Sequence, residues 1–342
     1  MNDIVAAEHE RAVDSSGPTA PKRMRLHAGL STLADRLGVA IALIVLVALF
    51  ALVAPYFLTV VNLLDVARQI SVTAILGAGL TFVIMTAGID LSVGSAVGVT
   101  AFAAVSLTLN GAPAPLALAV ALLAGFAVGL INGVLVAKLG LAAFIVTLAA
   151  LTYLRGVTYV GTGGTTMFST HLSYSVLGQG SILGIPVPIL VMAAVFAIGW
   201  YVLERTVFGR WVHAVGGNAE AARLAGIPVR RVLVTVYVIS GLCAGIGGIL
   251  SSAKLQSAVP DLGTGYELSA IAAVVLGGTS LMGGRGSLIG TLVGAAIIGV
   301  LVNGLTLLDV SSFYQQIIQG VVIVMAVGLD RLRTRNAITE GV

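Results

Sequence analysis

The chain has little charge and almost no cysteine, and each shortage excludes something. Asp, Glu, Lys and Arg make up 9% of the 342 residues, against the ~25% usual in a soluble globular domain. One cysteine, Cys243, permits no intramolecular disulfide. It lies in an apolar run and reads as a buried, inert thiol. No G-x-x-x-x-G-K-[ST] segment occurs, so the chain has no P-loop for ATP. The metalloprotease pattern H-E-x-x-H and the nucleophile elbow G-x-S-x-G are absent too. His9, His27, His171 and His213 are scattered. No metal site, no catalytic group and no intramembrane proton relay is expected, which leaves ion-coupled transport with little support.

What is present is apolar. Hydrophobic residues form 58% of the chain, in runs of the length needed to cross a ~30 Å hydrocarbon core. Continuous rather than alternating runs exclude a β-barrel. The 43 glycines fall inside these runs without a period, as in polytopic helical proteins whose backbones pack closely. The expected fold is all-α, with ten spans at 37–57, 70–88, 93–109, 115–137, 142–160, 185–203, 232–253, 268–282, 287–308 and 313–329. The eighth span is the shortest and reads as complete, broken or re-entrant.

The basic residues set the topology, and they give no cause to invoke nucleic acid. With both ends cytoplasmic, all of the 18 Lys and Arg except Arg68, Arg155 and Lys254 fall inside, as the positive-inside rule requires. Residues 1–36 then form a disordered cytoplasmic tail, 37–330 the transmembrane domain and 331–342 a cytoplasmic tail. The outer loops 161–184 and 254–267 either receive an external partner or simply connect spans.

One segment breaks the apolar pattern. From Thr206 to Arg231 the sequence is TVFGRWVHAVGGNAEAARLAGIPVRR. Gly216-Gly217 is expected to break regular structure, Asn218 to cap a helix, and Ala219–Ala225 to form about two turns. Glu220 suits the first turn and Arg223 the last. Gly226 takes the left-handed position after the helix, and Pro228 stops continuation. Phe208, Trp211 and Ile227 are expected to hold its flanks. The helix is either an ordinary interfacial turn or a docking element for a soluble partner.

Other polar groups are sparse. Asp90 stands at the tip of a short cytoplasmic connection, where it and Ser92 either cap span three or, with Ser95, form part of a gate. Asn132 and Asn303 are interhelical hydrogen-bond partners or pathway residues. Arg155 is either a functional intramembrane charge or, near the outer end of span five, a side chain that snorkels to the interface.

Several of these segments together resemble one family. They are Ala214–Ile227, Phe57–Gln69, Gly88-Ile-Asp-Leu-Ser-Val-Gly-Ser95, Gly265–Ala295 with its LGGTSLMGGRGS connection, and Tyr314–Val327. The chain resembles the permease subunits of ABC importers in the ribose, xylose and galactose group, over about residues 37–330. The resemblance implies a non-enzymatic, binding-protein-dependent monosaccharide importer in the bacterial inner membrane, built on a type II-like permease fold. It implies a permease pair, two cytoplasmic ATPase subunits that bind the ATP, and an extracytoplasmic sugar-binding protein. No cofactor would sit on this chain, and surrounding lipid would be its other partner. Gly217, Asn218, Glu220, Ala221, Ala222, Arg223, Gly226 and Ile227 would make the ATPase-coupling segment. Permeases for branched-chain amino acids, polyols or autoinducers share the architecture. An ATP-independent carrier or channel is the alternative of another class.

Overall fold

A computed structural model of the chain describes residues 22–339, His171 apart. Its helices are α1 (Lys22–Val53), α2 (Val60–Met85), α3 (Val93–Leu109), α4 (Ala114–Ala137), α5 (Ala143–Thr162), α6 (Val176–Gln179) and α7 (Val187–Arg205). They continue as α8 (Val207–Gly217), α9 (Ala219–Leu224), α10 (Val229–Leu255), α11 (Tyr266–Leu276), α12 (Leu288–Leu307) and α13 (Ser312–Thr339). The described strands are two-residue pieces: β1 (Met167–Phe168), β2 (Ser181–Ile182), β3 (Ile185–Pro186) and β4 (Ser257–Ala258). The protein is all-α.

Among the described residues six helices, α2, α4, α5, α7, α10 and α12, are long and apolar enough to cross a membrane. Four shorter apolar stretches, Gly38–Val53, Val93–Leu109, Tyr266–Leu276 and Ser312–Met325, correspond to the remaining expected spans. The eighth is broken. With 11 residues, α11 extends about 16 Å, roughly half the hydrocarbon thickness. Gly277 then ends it, and residues 277–287 form an irregular connection. The terminal helices outrun the expected spans, since α1 begins at Lys22 and α13 continues to Thr339. Lys, Arg, Leu and Ala carry a helix past the end of the apolar run because helix propensity does not depend on hydropathy. Residues 1–21 of the expected N-terminal tail and 340–342 of the C-terminal one lie outside the described residues.

The bundle is organised around α2 and α10. Of their apolar stretches, 72% and 61% are buried, against 28% for α4, α5 and α7, whose outer faces are exposed. Lipid removes the hydrophobic drive between helices, so association depends on close contact of small residues. Gly125, Gly129 and Gly133 fall at four-residue spacing along one stripe of α4. A side chain at Gly125 would strike the Gly241 carbonyl of α10, and one at Gly129 the Tyr237 carbonyl. Here backbone packs on backbone.

The two ends of α10 define the two ends of the molecule. Its first residue follows the α8–α9 segment. Its last turn leads into β4, which pairs antiparallel with β1 (Met167 opposite Ala258) and so joins the two long loops. At 27 residues, α10 separates these ends by about 40 Å.

Candidate functional site

The polar segment folds as two capped helices. Thr206 opens α8, its hydroxyl accepting from the Gly209 amide at 3.3 Å. Val212 and Val215 are buried, and Phe208, Trp211 and Ile227 pack against the same core. Phe208 lies 6.4 Å from the ring of Phe82. The expected break at Gly216-Gly217 is displaced. α8 runs through Gly217, and the chain turns at Asn218, whose backbone is extended (φ −160°, ψ 105°). The glycines tolerate the last helical turn, while the cap residue makes the break because its side chain replaces the missing carbonyl.

Asn218 Oδ1 accepts from the Ala221 amide at 2.9 Å. At the far end Ile227 N–H donates to the Ala222 carbonyl and Gly226 N–H to that of Arg223, both at 3.0 Å. Gly226 has φ +84°, which completes a Schellman closure. Six residues thus hold a helix that would be marginal alone. Arg223 Nε donates to Glu220 Oε2 at 3.0 Å, leaving the two side chains 62% and 67% exposed. Arg223 holds the Glu220 carboxyl below its ordinary range. Leu224 is 74% exposed. Ala222 is buried in the core. A one-sided helix must seat one residue on its support, and the small Ala222 is that residue.

Behind α9 three segments meet. Gly284 N–H of the 277–287 connection donates to the Met85 carbonyl at the end of α2, at 2.9 Å. A side chain at Gly216 would collide with that same carbonyl and with the Gly284 nitrogen. The end of α8, from which α9 follows, is therefore in main-chain contact with the end of α2 and with the connection after the broken α11.

Asp90 is corrected by the structure. It stands not at an exposed loop tip but inside the bundle, 1% exposed. Its Oδ1 accepts from Ser92 Oγ at 2.6 Å and from Ser92 N–H at 3.0 Å. Its Oδ2 accepts from Ser240 Oγ of α10 at 2.8 Å. Ser92 does not cap α3 with its side chain, because its hydroxyl is spent on the carboxylate. Asn132 of α4 donates to Ser92 Oγ at 2.9 Å. Tyr237 and Thr147 both donate to the Ile89 carbonyl at 3.2 Å. The connection thus fastens α4, α5 and α10 together, and buried polar groups persist only with such partners.

Ser95 donates to the Leu151 carbonyl at 2.7 Å, and Asn303 exchanges hydrogen bonds with Asn62 of α2 at 2.9 and 3.0 Å. Arg155 donates to the carbonyls of Pro260 and Leu262 at 3.3 and 2.7 Å, tying α5 to the loop before α11. Cys243 is a free, buried thiol.

None of Asp90, Ser92, Ser95, Asn132 or Asn303 lines the cavity of about 670 Å³ that opens between α2, α10, α11, α12 and α13. Its lining comes from five elements far apart in sequence. Only the run of polar residues Arg68-Gln69, beside span two, hinted at it.

The family model for the permease component of the branched-chain amino acid transport system matches residues 62–327. The chain belongs to this permease family. The ribose import permease protein RbsC of Haemophilus influenzae is 49% identical over 294 residues, 85% of this chain and 91% of that protein. RbsC of Bacillus subtilis is 43% identical over 315 residues, 92% of this chain and 97% of that one. The D-allose transport system permease protein AlsC of Escherichia coli is 39% identical over 300 residues, 87% and 92% of the two chains. No solved structure matches the chain. As a permease of this family it is a multi-pass inner-membrane protein. The matched stretch takes in α9, the Asp90 joint and the cavity.

Proposed function

We propose that this permease is the transmembrane subunit of an ATP-driven importer for a monosaccharide, coupled through α9 to separate ATPase subunits. The observation that carries the reading is the construction of α9. It is a helix capped at both ends, exposed on its Glu220, Ala221, Arg223 and Leu224 side, and carried directly on the end of α8, whose Gly216 abuts the Met85 carbonyl of α2 and Gly284 of the α11–α12 connection. A groove on a soluble partner that grips such a helix moves spanning elements directly, with no flexible linker between. Ribose, allose and arabinose stand in the names of similar permeases, which supports a sugar over the amino acids of the family description.

In this reading the basic residues place the α9 end in the cytoplasm, with both termini. The β1–β4 end then faces the extracytoplasmic sugar-binding protein. A second copy of the permease completes the pathway, and lipid surrounds the pair. ATP is bound and hydrolysed by the partner subunits, so this chain needs no cofactor. Closure of the ATPases tilts the helices between inward- and outward-facing states, and the solute passes without covalent chemistry.

Reconstitution in proteoliposomes with ATPase and binding protein tests this, using uptake across a panel of pentoses and hexoses. Uptake of at least one sugar should require ATP and both partners. Sugar entry through the permease alone, without ATP, would instead mark a self-sufficient carrier.

A further inference from the structure

The cavity noted above sits in the half of the bundle remote from α9. It is reached by the last turn of α10 at Lys254, the third and fourth turns of α2, the first turn of α11 and the opening turns of α13. Its volume of about 670 Å³ lies in the ~300–1,000 Å³ range of small-molecule sites.

Its lining has a definite chemistry. No Asp or Glu contributes to it, whereas Gln69, Thr73, Gln316 and Gln319 do. No hydrogen bond ties these four side chains to another described residue. Amides and hydroxyls both donate and accept, as each hydroxyl of a sugar does. Arg68 adds a buried Nε–H without a protein partner, and Lys254 a second cationic donor, while α12 supplies an apolar wall. The lining carries no carboxylate to receive the ammonium of a zwitterionic amino acid, and the nearby Asp65 is paired with Arg68 at 3.5 Å.

We propose that this cavity is a binding site for a neutral polyhydroxylated ligand, a monosaccharide, on its way through the outer half of the permease. The site rests on the sugar-import reading and extends it. It assigns recognition to amide and hydroxyl side chains of α2 and α13, where the sequence pointed to the Asp90 region. A ligand seated here touches α11, whose other end leads into the connection that packs on Gly216 and Gly217 at the end of α8, next to α9. Occupancy and coupling thus share one short helix.

The test uses the full-length permease, assembled with its ATPase and binding protein, carrying Thr73→Cys. The cysteine is labelled with a membrane-impermeant maleimide; the unsubstituted protein, whose Cys243 is buried, is the blank. D-ribose and a panel of other pentoses and hexoses are compared with L-leucine. A transported sugar at ten times its dissociation constant should slow labelling by roughly tenfold through mass action, and L-leucine should leave it unchanged. If Thr73→Cys fails to assemble, Gln319→Cys on α13 gives the same readout.

Sugar uptake that persists while no sugar slows labelling at either position overturns the site and leaves the import reading intact. Slowing by L-leucine alone, with leucine uptake and no sugar uptake, overturns both.

Discussion

Two carboxylates of this permease, Asp90 and Glu220, lie in opposite surroundings. Asp90 is enclosed, and its oxygens accept from Ser92 and Ser240 on separate elements. Glu220 is in water, and its contact is with Arg223 three residues on. Removal from water makes the first expensive to disturb, since each buried polar atom left unpaired costs about 1–3 kcal/mol. Solvent screens the second, and such pairs contribute little to stability. Charge inside this bundle fixes helices to one another. Charge at its end is left for something else to read.

That contrast is open to attack at several points. Asp90→Ala should have the largest effect on folding, because it orphans the hydroxyls of Ser92 and Ser240 at about 1–3 kcal/mol each. A thermal midpoint in detergent unchanged from wild type would remove the structural role assigned to the joint. Glu220→Arg should act the other way, leaving the midpoint in place while cutting copurification of the ATPase or uncoupling uptake. Undiminished sugar uptake in that variant would count against α9 as the coupling element.

Asn218→Ala should cost the isolated α9 turn about 1 kcal/mol through loss of its cap, visible as faster amide exchange at Ala221 with the core untouched. Asn303→Ala should cost about 0.6 kcal/mol, the usual scale for an interhelical hydrogen bond in a membrane. Adding Asn62→Ala should then cost only the remaining bond from Asn62 to the Phe57 carbonyl, because the Asn62–Asn303 pair is reciprocal. Acid should give the smallest effect. Arg223 depresses the Glu220 pKa, so the pair's contribution is complete above the ordinary carboxylate value of about 4.3 and is lost only as pH falls through the depressed one. ATPase association measured between about pH 5 and 8 should show no step from this residue.

How far the sequence reached follows the range of the interactions concerned. The cap at Asn218, the left-handed Gly226 and the stop at Pro228 are local, decided within a few residues, and they were legible. So was the shortness of the eighth span, because length is a property of the run itself. Asp90 was misplaced because its partner Ser240 is 150 positions away, and a short polar connection usually faces water. The burial of Ala222 was not legible, because a helix of six residues carries too little periodicity to show which side is buried. The cavity joins residues from 68 to 323, and no local pattern encodes that meeting. The α4 glycines stand in plain spacing in the sequence, yet only α10 packed against them gives the spacing its meaning.

Hydrogen exchange on the purified permease, with and without its ATPase, tests the coupling claim most directly. The amides of Ala219–Ala225 belong to a short helix held by its caps and should exchange quickly in the free permease. Those around Asp90 should exchange slowly in both states. Addition of the ATPase should slow exchange across Ala219–Ala225 and leave the Asp90 region unchanged. An ATPase that binds while Ala219–Ala225 exchange as fast as before would contradict the assignment of α9 as the element it grips.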